Sequence, residues 1–96
     1  MLESGFQSKL KKEILERFPG AIVMKNDSDG NQGIPDLTVL YEDKWATLEC
    51  KRSKTASRRP NQKYYVDKMN EMSFSSFICP ENKEEVLNGM EKLFKT

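Results

Sequence analysis

Histidine is absent from this chain. That absence removes Ser-His-Asp and Cys-His nucleophilic catalysis, histidine zinc sites and every histidine-based nuclease motif. Cysteine is scarce too: Cys50 and Cys79 are the only two, both within strand-like runs. They are too few for a zinc site and are expected as reduced, buried thiols acting as small hydrophobes. No apolar run approaches the roughly 18 residues of a membrane span. The opening stretch MLESGFQSKLKKE is acidic, then polar, then basic, without the uninterrupted apolar segment of a secretory signal, so the chain is expected to be intracellular. Any acid–base or metal chemistry is left to carboxylates and lysine.

At 96 residues, 36% hydrophobic and 32% charged, the chain is expected to form one domain over 1–96 with a small core under a wet surface. The net charge of +1 says less than its distribution. Between Cys50 and Val66 stand Lys51, Arg52, Lys54, Arg58, Arg59 and Lys63 with no acidic residue among them, whereas Glu81, Glu84, Glu85 and Glu91 gather in the C-terminal third. A local basic patch on a near-neutral domain suits contact with a polyanion along one face.

Phe6, Leu10, Ile14, Leu15 and Phe18 recur at helical spacing over residues 3–18, and Pro19-Gly20 stops that helix. Residues 21–24 read as a strand, followed by a polar loop from Asn26 to Gly33 rich in turn formers. Strands over 36–41 and 45–52 are joined by a tight turn around Glu42-Asp43-Lys44. Residues 53–59 form a basic loop, and Pro60 fits the first turn of a helix to about Met72. A fourth strand covers 74–79. A last helix runs from Pro80-Glu81 through Lys95 with Val86, Leu87, Met90, Leu93 and Phe94 as its apolar stripe, which could serve core or interface. The order αβββαβα predicts an α/β fold with a mixed β-sheet flanked by helices.

Strand parity gathers the chemistry. Leu37, Val39 and Tyr41 form one apolar face and leave Asp36 on the other; Ala46, Leu48 and Cys50 do the same and leave Glu49 and Lys51 opposite. If both apolar faces share one core, a turn at Glu42-Asp43 sets Asp36 across from Glu49, and a turn at Asp43-Lys44 sets it across from Lys51. The turn sequence does not choose between them. Directly opposed side chains lie about 5 Å apart and diagonal ones about 7–8 Å, so either register collects two carboxylates and an ammonium. Two adjacent carboxylates repel unless a cation lies between them, and hard oxygen ligands suit Mg²⁺ or Mn²⁺. The backbone carbonyl of Cys50, between the two side chains, is a candidate further ligand. Lys51 is placed to orient a water or to stabilise charge developing on phosphorus.

Pro35-Asp36 and Glu49-Cys50-Lys51 together resemble the two halves of the PD-(D/E)XK nuclease signature. More closely, Gly33-Ile34-Pro35-Asp36-Leu37, Leu48-Glu49-Cys50-Lys51 and Gln62 resemble the virus-type replication-repair nuclease (VRR-NUC) family over most of the chain. The resemblance implies a restriction-endonuclease-like fold and divalent-metal phosphodiester hydrolysis. It also implies that Asp36 and Glu49 hold the metal, that Lys51 is the catalytic lysine, and that Gln62 supports the site from the second helix. Glu3 would be the acidic residue of the first helix, a metal ligand through water; a glutamate in a helix's first turn equally suits the helix dipole. Stand-alone bacteriophage members resemble Holliday-junction resolvases, which cut as dimers. The resemblance therefore implies branched DNA as substrate, a homodimer, and the host cytoplasm as the place of action.

Arg52, Lys54, Arg58, Arg59 and Lys63 follow the catalytic strand, where a phosphate backbone must pass to reach the metal, and are expected to position DNA without reading bases. Two other readings stand beside junction resolution: a nicking or flap-type repair nuclease with the same site, and a non-catalytic DNA-binding module whose acidic cluster is structural.

Overall fold

The computed structural model describes residues 3–27, 30 and 32–96. The elements follow the order α1 (Glu3–Arg17), β1 (Ile22–Lys25), β2 (Leu37–Tyr41), β3 (Lys44–Cys50), α2 (Pro60–Met72), β4 (Ser75–Ile78) and α3 (Lys83–Phe94). The strands form one sheet in the order β1-β2-β3-β4. β1–β2 and β2–β3 are antiparallel, whereas β3–β4 is parallel because α2 carries the chain across. This is the expected α/β architecture, a mixed sheet flanked by helices. Of the polar loop between β1 and β2, Ser28, Asp29 and Asn31 lie outside the described residues.

One face of the sheet carries the hydrocarbon core. Phe6, Leu10 and Ile14 descend one side of α1 at four-residue intervals, with Phe18 continuing the row just past its end, and Val86, Leu87, Met90 and Phe94 form the buried stripe of α3. They meet Val23, Leu37, Val39, Ala46, Leu48, Cys50 and Ile78 from the strands. The α3 stripe is thereby core, not interface. Phe18 stands edge-on to both Tyr41 and Phe94, with ring centroids 5.8 and 5.2 Å away. Leu15 departs from the expected stripe and is exposed, because it lies a residue beyond the four-residue row that faces the sheet. Arg17 links α1 to α3 through Glu91 at 3.0 Å, Glu84 at 3.5 Å and Asn88.

On the other face α2 packs chiefly on β4 and β3. Here the alternate residues of the strands are polar: Thr47 and Ser75 are register partners and hydrogen-bond side chain to side chain at 2.8 Å under the helix. The β1–β2 half of this face is open, and Ile22 and Met24 are exposed there. Among the described residues no helix is long and apolar enough to cross a membrane.

The hairpin decides between the two registers. Tyr41 pairs with Lys44 and Leu37 with Leu48, so the loop is Glu42-Asp43 and Asp36, one step beyond the ladder, faces Glu49. β3 stops at Cys50, earlier than the expected Arg52. Beyond it β2 offers no further partner, and only the Lys51 N–H still reaches across to β4, at Ile78 O, 2.8 Å away. Glu42 adopts a φ of +56°, a region that costs residues with a Cβ roughly 1–2 kcal/mol. Replacing Glu42 by glycine is therefore expected to raise the free energy of unfolding by about 0.5–1 kcal/mol, and valine to lower it by about 1 kcal/mol. Urea denaturation of the two variants beside the wild type checks this; equal midpoints would show that the turn holds no strain.

Candidate active site

Three segments meet at the polar edge of the sheet: the end of the β1–β2 loop, the last turn of β3 and the first turn of α2. Asp36 is fixed from two sides. Its Oδ2 accepts the backbone N–H of Cys50 at 2.8 Å, and its own carbonyl accepts the N–H of Asn26 at 2.7 Å. Asn26 also donates through Nδ2 to Pro35 O and Thr38 Oγ1, at 2.9 and 2.8 Å, which clamps the Pro35-Asp36 corner against β1.

Glu49 and Lys51 alternate with the core residues of β3, yet both are buried, at 3% and 9% exposure. Gln62, on the first turn of α2, joins them. Its Nε2 donates to Glu49 Oε2 at 3.1 Å, and its Oε1 accepts the Lys51 ammonium at 2.8 Å and the Arg59 N–H at 3.1 Å. Lys51 Nζ stands 3.9 Å from Glu49 Oε2. An uncharged amide can donate to the carboxylate through its nitrogen and accept from the ammonium through its oxygen at once. Glu49 Oε1 is buried and has no partner among the described residues.

The electrostatics follow from that geometry. Burial pushes the Glu49 carboxyl up to about 8, the nearby Asp36 pushes it further in the same direction, and Lys51 offsets only part of this. Asp36 is also raised, chiefly by burial, against the opposing pull of the Cys50 N–H, Lys51 and Lys25. Burial raises the Cys50 thiol as well, with Asp36 and Glu49 adding to it, so Cys50 is an inert neutral core residue. A buried Glu49 oxygen without a partner among the described residues, facing the half-buried Asp36 carboxyl, is a donor set that a divalent cation fits. Asp36 and Glu49 would hold it, with the Cys50 carbonyl beside them.

A cleft of about 490 Å³ opens onto this cluster, lined by Gln32, Gly33, Ile34, Asp36, Glu49 and the Arg59–Gln62 corner of α2. Gly33 creates it. With φ at +93°, a Cβ added there would lie 2.5 Å from Asn61 Cβ and 2.9 Å from its carbonyl carbon, so only glycine lets the α2 start approach the sheet.

The structure brings Asp36, Glu49, Lys51 and Gln62 together. Glu3 is exposed at the start of α1 and borders a neighbouring cleft with Lys51, Arg52, Ala56 and Ser57; its charge reaches Glu49 and helps raise it. Among the described residues no three acidic or thiol side chains form a ready-made metal cluster, so Glu3 does not complete a third carboxylate. Of the basic set, Arg59 lines the main cleft, Arg52 the neighbouring one, and Lys54 is exposed with its N–H on Glu81 Oε2 at 3.4 Å. Arg58 lies over the Phe77 ring, and Lys63 is paired with Asp67 at 2.7 Å along the helix. Asn26, Lys25 and Phe77 escape sequence reasoning, since nothing local marks a residue whose partner is brought by the fold. The Lys63–Asp67 spacing, by contrast, carries an i, i+4 signal.

No protein-family model and no curated protein sequence matches the chain. A solved structure described as a VRR_NUC domain does match in three dimensions. Its TM-score is 0.70 at 20% sequence identity, with 92% of this chain and 97% of that one covered. The chain thus shares the fold of that VRR_NUC domain.

Two outcomes are expected. Gly33→Ala should cost about 1–3 kcal/mol of stability and lower any activity of the site at least tenfold by prising α2, and Gln62 with it, from Glu49; urea unfolding and an activity assay measure both. The second concerns the metal-free protein. A carboxyl raised from 4.5 to about 8 holds its proton more tightly folded than unfolded, so its stabilising contribution is complete below pH 4.5 and is lost as pH climbs through 8. Glu49→Gln in EDTA should therefore be more stable than wild type at pH 8.5, with the difference shrinking toward pH 5. A variant less stable than wild type at pH 8.5 would show that Glu49 is well compensated as an anion.

Proposed function

We propose that the protein, as a single nuclease domain over 1–96, is a divalent-metal-dependent DNA endonuclease that hydrolyses phosphodiester bonds in branched DNA, acting as a homodimer on four-way junctions. The observation that carries this reading is the confrontation of the buried Glu49 carboxyl with the half-buried Asp36 carboxyl beside the Lys51 ammonium, with Glu49 Oε1 left unpartnered among the described residues. A structural ion pair has no use for that arrangement, whereas a hydrolytic phosphate site does. Asp36, Glu49 and the Cys50 carbonyl would hold Mg²⁺ or Mn²⁺, with Glu3 reaching it through water. When bound, such an ion polarises the scissile phosphoryl group and makes water a better nucleophile.

The chain's own residues do the rest. Lys51, a fixed donor on Gln62, faces the developing negative charge with an ammonium that needs no reorganisation as the reaction proceeds. Gln62 keeps Lys51 from collapsing onto Glu49 and holds the Glu49 carboxylate in one orientation. Arg52, Lys54, Arg58, Arg59 and Lys63 supply backbone contacts; Lys63 shares its charge with Asp67 and contributes least. The free edge of β1, with Ile22 and Met24 exposed beside it, is the surface we assign to a second copy.

The test compares wild type, Glu49→Ala and Lys51→Ala on four-way junctions, flaps, nicked duplex and linear DNA with Mg²⁺, Mn²⁺ or EDTA. Both variants should lose cleavage by about 100-fold or more while still binding DNA, and EDTA should abolish wild-type activity. Symmetric paired cuts on the junction favour the resolvase reading, and single cuts at flaps or nicks favour a repair nuclease. Full activity in Glu49→Ala, or cutting in EDTA, would defeat the mechanism. Sedimentation across micromolar concentrations checks the dimer.

A further inference from the structure

The loop from Ser53 to Arg59 is tethered at three points. The Lys54 N–H meets Glu81 Oε2, the Arg59 N–H meets Gln62 Oε1, and between them the Arg58 guanidinium lies over the Phe77 ring, 4.2 Å from its centroid. Phe77 is itself the register partner of Glu49 on the parallel β3–β4 pair, so the two side chains leave the same face of the sheet about 5 Å apart. Phe77 is 8% exposed, and its environment fixes the ring before any ligand arrives. No ion pair among the described residues includes Arg58.

A guanidinium that meets a ring through its face keeps its N–H donors in the plane, available to a phosphate, and loses less freedom on binding than a lysine would. The other basic residues of the loop have no such platform. Building on the nuclease reading above, the structure assigns Arg58 as the pre-oriented backbone-phosphate contact of the substrate, and Phe77 as the positioning residue that aims it from the strand position beside Glu49. The two form one device: the substrate phosphate meets Arg58, and Arg58 is registered to the catalytic strand through Phe77, not through the loop.

The experiment measures binding of a fluorescent four-way junction and a linear duplex in Ca²⁺ by wild type, Arg58→Ala, Arg58→Lys, Phe77→Leu and the Arg58→Ala/Phe77→Leu double variant. Arg58→Ala should weaken binding about tenfold and reduce the slope of log affinity against log salt by about one, since one phosphate contact disappears. Phe77→Leu should weaken it about three- to fivefold with the slope kept, because the charge remains but its aim is lost. Arg58→Lys should likewise keep the slope and lose affinity. In the double variant the Phe77→Leu loss should vanish. Because Phe77→Leu removes a buried ring, ¹⁵N relaxation of the Arg58 Nε–H in the folded wild type supplies a second measure, with order expected in free protein. Additive losses, an unchanged salt slope in Arg58→Ala, or a mobile Arg58 Nε–H would overturn the assignment. Loss of coupling in a protein that still cleaves sinks this assignment alone. Coupling in a protein that binds DNA without metal-dependent cutting supports the Arg58–Phe77 device and sinks the hydrolase. A wild type that binds no DNA sinks both.

Discussion

The burial of Glu49 next to Asp36 is the constraint around which the rest of this small structure is arranged. A carboxylate removed from water loses several kcal/mol of hydration unless neighbours replace it, and a second carboxylate nearby makes the loss worse. The fold supplies partial compensation from three directions. The Cys50 N–H serves Asp36, the Gln62 amide serves one Glu49 oxygen, and Lys51 contributes a cation at 3.9 Å. What is left over is the orphaned Glu49 Oε1 and a carboxyl pushed up to about 8. Under the function proposed above, that shortfall is where a divalent ion would complete the electrostatics, so local stability is traded against a preorganised site.

Much of this was legible in the residues because a strand alternates strictly. Once Leu37, Val39, Ala46 and Leu48 were assigned to the core, Asp36, Glu49 and Lys51 had to share the other face, whichever hairpin register held. The register itself was not legible. Its two-residue loop has no glycine or asparagine to mark the left-handed position, and Glu42 takes it instead, held there by pairing on both sides of the turn. Gln62 could be placed by its motif and by Pro60, but its double hydrogen bond could not, since it depends on how closely α2 approaches the sheet. That distance is set by Gly33, whose partner Asn61 lies 28 positions along the chain. The residues after Cys50 suit a strand as far as Arg52, but β3 ends at Cys50 because its neighbour β2 offers no further partner there. Asn26 and Phe77 act through contacts that only the folded sheet creates.

The amide at position 62 shows how the helix and the site are coupled. A glutamate there would add a third acidic group beside Asp36 and Glu49, and a leucine would remove the hydrogen-bond partner of both Glu49 Oε2 and Lys51 Nζ, leaving only their mutual 3.9 Å ion pair. Gln62 avoids both, and its Oε1 also receives the Arg59 N–H, which is one of the free donors at the start of α2. The same oxygen thus ends the basic loop, begins the helix and holds the lysine. Displacement of the helix by even an ångström would be felt at Lys51 and Glu49 together.

The same coupling explains why so short a chain can hold a polar cluster in place at all. β3 is sandwiched: Ala46, Leu48 and Cys50 pack under α1 and α3, while Thr47 and Glu49 lie under α2. A slip by one residue would bring the carboxylate and ammonium into the hydrocarbon core and turn Leu48 toward the site, a loss far beyond what any single polar contact could offset. The apolar face therefore fixes the register, and the register fixes the chemistry. Rigidity of the candidate site is borrowed from the core on the reverse side of the same strand, which holds Glu49 within β3 and Lys51 immediately past its end.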